Sequence, residues 1–373
     1  MKANIALVRG VGSHNGGAEL LLRAASGHLS DHWTVIADRR KVSHTVRHEW
    51  QIGNFLEVPR FGALRSLGWN AAPRSLARAM NNYSERHVDA LFDASGFFLG
   101  DQWSSSSISR DGQGFEYLAK RQRPIVMLPQ AFGPFEKTEV ATSSRLILDR
   151  AELIYARDRV SLEYIKELLD DDSRVRLAPD ITIALETNAA TSKTDHVAIV
   201  PNVNIPARAK DPSARERYVQ SLASIARGIS GIGLEPVLLA HSAHGDPILV
   251  NEIRKLVPQV RERKPENGLA AKQFIGTCHG VIAGRYHAIV SALAQGVPAV
   301  AHSWSHKYGE LLEDFGVSDG LADPYAPTDS VDLLAGLIES DSYNASLRAN
   351  KPLLVNRIER MWEEVDHATS GMQ

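Results

Sequence analysis

Two side chains capable of anion binding and proton transfer lie close together in the stretch 280–298, GVIAGRYHAIVSALAQGVP. A short apolar run ends at Gly284, Arg285 and His287 follow, and an apolar pattern of helical spacing continues to Gly296. The pattern predicts a strand, a tight turn and a helix that carries both side chains in its first turn. Helix N-termini attract anions, arginine offers a forked cation, and histidine can transfer a proton near neutral pH.

An anion cradle beside a proton shuttle is typical of a transferase that acts on a phosphorylated small molecule. The structural alternative is that Arg285 and His287 belong to a buried ion network at the junction of strand and helix. The spacing of the two residues is compatible with both interpretations, so other parts of the chain must decide.

The composition is that of an ordinary globular protein. The chain has 373 residues, of which 43% are hydrophobic and 23% charged, and this length favours two domains. A net charge of −2 without a Lys/Arg tract argues against nucleic-acid binding. The single cysteine, Cys278, excludes an internal disulfide and a cysteine-based metal cluster.

The sequence shows neither a targeting segment nor a membrane-spanning one. The N-terminal residues MKANIALVRG hold too short an apolar stretch for a signal peptide, and no run of about 18 apolar residues occurs. We therefore expect a cytoplasmic protein without stable membrane insertion, at most peripheral to the inner face of the membrane.

Short apolar runs alternate with amphipathic helical patterns along the chain, which predicts βαβ units and mostly parallel sheets. In the first half, helices are predicted at 18–29, 114–122, 136–150 and 159–170. The polar stretch Glu186–Asp195 interrupts the alternation and is the best linker candidate. We therefore predict one domain at 1–188 and a second at 195–373. Ligands of such domains bind beyond the carboxyl ends of the strands, so two of them facing each other would form a cleft.

Further polar clusters follow predicted strands in the first half. The glycines of 13–17 (SHNGG) let the backbone approach a ligand, although a plain tight turn explains them equally well. Asp101 and Trp103 can hold a sugar by hydrogen bonding and stacking, the alternative being a turn with a buried tryptophan. Asp158 is expected to cap the following helix, which leaves Arg157 facing the cleft.

The second half holds several more histidines. His302, His306 and Lys307 follow a predicted strand and are expected to be exposed loop residues unless a ligand lies there. His241 and His244 have a spacing reminiscent of metal ligands, but no set of carboxylates and histidines completes a site. We predict neither a metal nor a cofactor.

Taken together, these segments resemble the polysaccharide pyruvyl transferases. The matching pieces occur in the family's order over roughly residues 4–316: Asn15–Glu19 (NGGAE), Asp93–Trp103 (DASGFFLGDQW), Leu128–Phe135 (LPQAFGPF), Ala156–Ser161 (ARDRVS), Ala178–Asp180 (APD), Gly284–Ala288 (GRYHA), Gly296–Pro298 (GVP) and Lys307. Tyr286 stands where the family usually has Leu or Met. Ala18 stands where it often has Asp, so no aspartate role is carried over there, and Glu19 is the candidate substitute.

The resemblance implies a fold similar to the B-type glycosyltransferases, with two Rossmann-like α/β domains facing a cleft and a C-terminal helix that crosses back. It implies transfer of a pyruvyl group from phosphoenolpyruvate to two hydroxyls of a saccharide in a cell-surface or exported glycan. The products are a ketal and phosphate. The N-terminal domain would bind the acceptor, which can be lipid-linked, and the C-terminal domain the donor. A homo-oligomer is left open.

The resemblance also assigns residues. It implies His287 and Arg285 as catalytic residues, with Arg157 and Arg285 holding the two anionic groups of the donor. The implied substrate-binding residues are Arg157, Asn15, Gly16, Glu19, Asp101, Gln130 and Lys307.

Two other functions fit the same residues. A nucleotide-sugar glycosyltransferase or sugar epimerase on this fold would also use an arginine and a helix N-terminus, but would release a nucleoside diphosphate. A non-catalytic glycan-binding protein would not need the intact set Arg157, Arg285 and His287.

Overall fold

The computed structural model describes residues 4–56, 72–187, 193–209, 211–243 and 245–370. The chain forms two compact units. The first unit comprises Met1–Ser13, Leu21–Ile181 and Arg357–Gln373, and the second comprises His14–Leu20 and Thr182–Asn356.

The first unit is built on an eight-stranded parallel sheet with the strand order β4-β3-β2-β1-β5-β6-β7-β8. Its strands are β1 Ile5–Arg9, β2 Thr34–Asp38, β3 Gly53–Phe55, β4 Asn82–Tyr83, β5 Ala90–Asp93, β6 Ile125–Gln130, β7 Leu153–Ala156 and β8 Val175–Leu177. Leu7 of β1 pairs with Ile36 of β2 and with Leu91 of β5. The order reverses between β1 and β5, where open α/β sheets bind ligands.

Helices cover the strands of this sheet. They are α1 Gly16–Leu29 from Leu21 onward, α2 His44–Glu49, α3 Arg74–Ala79, α4 Ser105–Ala119, α5 Thr138–Leu148 and α6 Arg159–Leu168. Strand β6 is buried along its whole length, as expected for a parallel strand covered on both faces.

The second unit contains a six-stranded parallel sheet with the order β11-β10-β9-β12-β13-β14. Its strands are β9 His196–Val200, β10 Glu235–Leu239, β11 Arg261–Arg263, β12 Gly280–Ala283, β13 Ala299–His302 and β14 Leu321–Ala322. Its helices are α7 Asn204–Arg208, α8 Ala214–Gly231, α9 Asp246–Leu256, α10 Gly268–Thr277, α11 Tyr286–Leu293, α12 Lys307–Asp314, α13 Pro327–Glu339 and the first part of α14 Asp341–Thr369. The strand order reverses between β9 and β12.

The C-terminal part of α14 belongs to the first unit. Within that unit, the Tyr155 hydroxyl donates a hydrogen bond of 2.9 Å to Glu364. His28 stacks on Trp362 with ring centroids 4.3 Å apart, and its Nε2 lies 3.0 Å from Asp366. These contacts explain why residues 357–373 belong to the first unit, whereas the sequence-based division placed them in the second domain.

A short N-terminal segment, His14–Leu20, belongs to the second unit. Asn15 forms an antiparallel bridge with Ser242, and the Gly16 N–H donates to the His241 carbonyl at 3.0 Å. The Ala243 N–H donates to the His14 carbonyl at 3.0 Å. The turn after β1 is therefore built into the second unit by backbone hydrogen bonds.

The predicted fold class is confirmed in its essentials, since both sheets are parallel and lie among helices. The predicted helix 114–122 was wrong in its start. Helix α4 begins at Ser105, because the Ser104 hydroxyl caps it by accepting from the Ser107 N–H at 3.2 Å. Residues 188–192 of the predicted linker lie outside the described residues.

Candidate active site

The stretch 280–298 folds as the sequence predicts. Strand β12 ends at Ala283, Arg285 occupies the N-cap position, and α11 begins at Tyr286. The turn is held by the Gly284 carbonyl, which accepts hydrogen bonds from Asn202 at 2.6 Å and from the Tyr308 hydroxyl at 2.7 Å. Because β12 adjoins the reversal of strand order, Arg285 and His287 lie where such sheets bind ligands.

A buried carboxylate holds the guanidinium of Arg285. Its Nε lies 3.1 Å from Asp246 Oδ2, and its Nη2 bonds the other carboxylate oxygen. The Asp246 side chain is completely buried at the start of α9, where it also accepts the Ser242 N–H at 2.9 Å. Burial raises the pKa of Asp246, and the positive charge of Arg285 opposes that rise.

This clamp orients Arg285 without using all of its donors. A guanidinium carries five N–H donors, and Asp246 engages only Nε and Nη2. Among the described residues, Nη1 has no hydrogen-bond partner, so it can bind an anion. The structural interpretation of Arg285 as an ion-pair member is thus correct for part of the side chain.

Two glycines bring the N-terminal segment against two imidazole rings. A β-carbon at Gly16 would lie 3.0 Å from His241 Cε1, which is tighter than most real contacts. A β-carbon at Gly17 would overlap the ring of His287. Glycine at both positions is therefore required for the approach of this loop.

His241 is a neutral group in this cluster. Its side chain is buried, and burial together with the positive charges of Arg285 and His287 lowers its pKa to about 3. Its Nε2 is buried and has no hydrogen-bond partner in the part of the chain that the structure describes. His241 therefore adds an uncharged imidazole beside Arg285.

Asn15 and Glu19 shape the same segment. The Asn15 side chain accepts the Gly17 N–H at 2.9 Å, and the buried Glu19 carboxylate accepts the Gly268 N–H at 3.1 Å. Gly268 is the first residue of α10, so Glu19 contacts a helix N-terminus, a position that favours a negative charge.

Lys307 lies among aromatic rings. Its ammonium is 4.3 Å from the ring centroid of Trp304, 5.4 Å from that of Tyr286 and 5.6 Å from that of Tyr308. Only 7% of Lys307 is exposed, so the expectation of an exposed loop residue was wrong. Tyr286 also meets His287 edge to face at 5.3 Å, which links Lys307 to the cluster around α11.

The histidines near Lys307 differ in position. His302 is completely buried at the end of β13, with Nε2 3.0 Å from the Ser330 hydroxyl, so the expected exposure was wrong there too. Burial lowers the pKa of His302 to about 4. His306 occupies the position before α12.

In the first unit, Gln130 and Arg157 lie at the ends of adjacent strands. The Arg157 N–H donates to the Gln130 carbonyl at 2.9 Å, and the Arg157 guanidinium pairs with the fully buried Asp180 at 2.8 Å. The buried Gln130 amide donates to Asp93 at 3.0 Å. Burial raises the pKa of Asp93. The predicted cap is confirmed, since Asp158 accepts the Ser161 N–H at 2.7 Å.

Asp101 binds backbone rather than leaving its carboxylate open. It accepts the N–H groups of Glu136 at 2.8 Å and Lys137 at 3.2 Å. Trp103 is 43% exposed and so is not the buried tryptophan of the structural alternative.

The second unit thus brings together Gly16, Arg285 and His287 with two residues that the sequence did not assign, His241 and Asp246. Both follow the carboxyl end of β10, and this position was the signal that sequence reasoning passed over. His244, considered with His241 as a metal pair, lies outside the described residues. Among the described residues, no group of three His, Cys, Asp or Glu is placed to hold a metal ion. Nor is any described helix both long and apolar enough to cross a membrane.

The family model for polysaccharide pyruvyl transferase matches residues 15–306. This range includes Gly16, His241, Asp246, Arg285 and His287 and ends one residue before Lys307. The chain belongs to the polysaccharide pyruvyl transferase family. A curated relative, the amylovoran biosynthesis protein AmsJ of Erwinia amylovora, is 22% identical over 263 residues. That alignment covers 64% of this chain and 62% of AmsJ, less than two thirds of the relative's length.

Solved structures share the fold of this pyruvyl transferase family member. The UDP-GlcNAc 2-epimerase from Neisseria meningitidis bound to UDP-GlcNAc has a TM-score of 0.62 and 12% identity, over 98% of this chain and 99% of its own. Anabaena Alr3699/HepE in complex with UDP and glucose has a TM-score of 0.63 and 15% identity, over 99% and 100%. At these identities the likeness shows the fold alone, and it confirms the predicted similarity to B-type glycosyltransferases.

Proposed function

We propose that this protein transfers a pyruvyl group from phosphoenolpyruvate to two hydroxyls of a saccharide in a cell-surface or exported glycan. The observation that carries the proposal is the clamp of Arg285 by Asp246, with His287 two residues further on in the first turn of α11. Membership of the family supplies the reaction class.

The donor carries a phosphate and a carboxylate, so its site needs positive charge. Arg285 supplies a guanidinium whose Nη1 remains available, and the positive end of the α11 helix dipole lies at the same turn. Lys307 is a second cation in the same unit, oriented by its aromatic neighbours. A role for Arg157 in holding the donor stays a prediction.

The proposed reaction conserves the protons of the two sugar hydroxyls. The methylene carbon of the enol accepts a proton, a sugar hydroxyl attacks the adjacent carbon, and the hydroxyl proton leaves. The bond from that carbon to the phosphate oxygen then breaks, and a second hydroxyl closes the ketal. Of the two hydroxyl protons, one ends on the new methyl group and one on the released phosphate.

His287 is the group we assign to this proton transfer. It lies within the first turn of α11, and its ring is held between Tyr286 and Gly17. Since His241 is neutral, it can exchange a hydrogen bond with a ligand without adding charge. The positive charge beside His241 comes from Arg285 and from His287 in its protonated form, as an anionic donor requires.

Phosphate release tests the proposal. The protein is incubated with phosphoenolpyruvate and a panel of nitrophenyl and lipid-linked glycosides that carry neighbouring hydroxyl pairs, and phosphate is followed by ³¹P NMR. We expect phosphate release that depends on a glycoside, with a ketal methyl signal in the product. Release of a nucleoside diphosphate from a UDP-sugar, with phosphoenolpyruvate untouched, would favour the glycosyltransferase or epimerase function instead.

A further inference from the structure

The first unit contains a cavity of about 700 Å³ that the proposed donor chemistry does not use. Its walls come from the carboxyl-end regions of β1, β2 and β3 and from one side of α4. Strands β1 and β5, which both contribute to the lining, are the pair at which the strand order of this sheet reverses. Ligands of open α/β sheets bind at this position.

The inner wall of the cavity is apolar. It is formed by aliphatic and aromatic side chains that are nearly all buried: Leu7, Phe55, Val88, Leu91 and Leu118. A volume of this size lies within the range of about 300–1,000 Å³ found for small-molecule sites, which are mostly apolar with a few polar groups. The inner wall therefore suits an apolar body rather than an ion alone.

Charged side chains also line the cavity. Four are cations, namely Arg9, Arg40, Lys41 and Arg110, and three are carboxylates, namely Asp38, Glu85 and Asp111. Arg9 pairs with Asp111 at 3.0 Å, and Arg40 pairs with Asp38 at 3.0 Å.

Two of the four cations have no carboxylate of their own. Lys41 and Arg110 are exposed, and neither forms an ion pair within the described ranges of the chain. Arg9 and Arg40 are compensated by their partners, and with the third carboxylate, Glu85, counted, the lining keeps a net charge of +1, with Lys41 and Arg110 as its two cations outside an ion pair in the described part of the chain. An anionic group held between an ammonium and a guanidinium would compensate it.

We propose that this cavity binds an anionic amphiphile, a small ligand with a phosphate or carboxylate head and an apolar body. The head contacts Lys41 and Arg110, and the body lies against the wall formed by Leu7, Leu91 and Leu118. Every residue that lines the cavity belongs to the first unit, whereas Arg285 and Lys307 of the proposed donor site belong to the second, so binding of the amphiphile is tested without phosphoenolpyruvate.

Gly114 gives a way to close the cavity. It lies inside α4 and lines the cavity, and a β-carbon there would meet only Arg9 Nη1, at an ordinary 3.7 Å. A larger side chain at this position extends into the space that the ligand would fill. Leucine also has a higher helix propensity than glycine, so the substitution does not weaken α4.

Calorimetry with octyl phosphate, in the absence of phosphoenolpyruvate, tests the proposal. We expect octyl phosphate to bind, and the double variant Lys41→Ala/Arg110→Ala to bind it at least about tenfold more weakly, as expected for two lost charged contacts. Arg39→Ala is the matched control, because Arg39 is exposed beside Arg40 but does not line the cavity, and it should bind normally.

Three further ligands define the chemistry. Octanoate in place of octyl phosphate distinguishes a carboxylate head from a phosphate head. Octyl glucoside has the same chain without charge and should bind at least tenfold more weakly. Inorganic phosphate has the charge without the chain and should also bind weakly. Octyl glucoside or inorganic phosphate binding as tightly as octyl phosphate would overturn the proposal.

The cavity itself is tested with Gly114→Leu, which should abolish octyl phosphate binding, whereas Gly114→Ala should retain it. Thermal melting confirms that both variants are folded. Unchanged binding by a folded Gly114→Leu protein, or no octyl phosphate binding by the unaltered protein, would rule out this site. Phosphate release from phosphoenolpyruvate is measured separately, so failure of the donor proposal leaves this test intact.

Discussion

The backbone of Gly17 lies directly against the imidazole of His287, close enough that a β-carbon at position 17 would overlap the ring. The two residues are far apart in sequence, and they meet because the segment His14–Leu20 is hydrogen-bonded into the second unit. The orientation of the His287 ring therefore depends on the absence of a side chain in another part of the chain.

We expect Gly17→Ala to lower turnover at least about tenfold, since small displacements of a catalytic group cost activity steeply. Its melting temperature should change little, because alanine is the better helix former at an α1 position and offsets part of the strain. Gly27→Ala in the same helix is the control. There a β-carbon would meet only Trp50, at 3.9 Å, and activity should be normal. Full activity in Gly17→Ala would show that the ring position is unimportant.

Replacing His287 with Gln should keep donor binding and folding while lowering turnover by about 10²–10⁴, the usual contribution of a general acid–base group. Binding of phosphoenolpyruvate, melting temperature and turnover are measured together. His279→Gln is the control, because His279 immediately precedes the opposite end of the same strand. A folded His287→Gln protein with near-normal turnover would exclude the role and direct attention to His241.

The Arg285–Asp246 pair should be sensitive to the shape of the cation. In Arg285→Lys the compact ammonium lacks the planar fork with which Nε and Nη2 bond the two Asp246 oxygens side by side while Nη1 is left for an anion, so we expect kcat/KM for phosphoenolpyruvate to fall at least about tenfold. Arg215→Lys is a geometric control, since Arg215 bonds both oxygens of Glu252 at 3.2 and 2.8 Å on the surface of the same unit. Surface pairs contribute little, so Arg215→Lys should behave normally. Equal effects of the two substitutions would contradict a special role for Arg285.

His302 should make stability depend on pH. Burial lowers its pKa from 6.5 to about 4 in the folded protein, so below 6.5 the unfolded chain binds a proton that the folded chain does not. This proton does not affect the free energy of unfolding above pH 6.5. As the pH falls from 6.5 towards 4, it lowers the free energy of unfolding by about 3 kcal/mol. The free energy of unfolding of His302→Gln should fall less steeply over this window. Exposed His44→Gln should keep the original slope, and parallel curves for His302→Gln and the unaltered protein would refute the effect.

The local part of the site could be predicted from the sequence. The strand, turn and helix around Arg285 follow from apolar periodicity and two glycines within one short stretch, and the structure confirms them. Asp158 was recognised as a helix cap for the same reason, because its partner lies three residues away.

Contacts between residues far apart in the chain could not be predicted from the sequence. Asp246 clamps Arg285 from another helix, and His302 and Lys307 are buried by neighbours that no local pattern identifies. The edge strand Arg261–Arg263 could not be predicted from the sequence, because its charged residues, Arg-Glu-Arg, lack the apolar character on which strand prediction relies.

The division of the chain has a consequence for inheritance. Each unit is assembled from separated stretches of sequence, and the first needs residues 357–373 to provide Glu364 to Tyr155 and Trp362 to His28. A gene exchange that replaced only one contiguous half would separate these partners. Recombination between related genes can therefore pass on a working first unit only when the beginning and the end of the gene travel together.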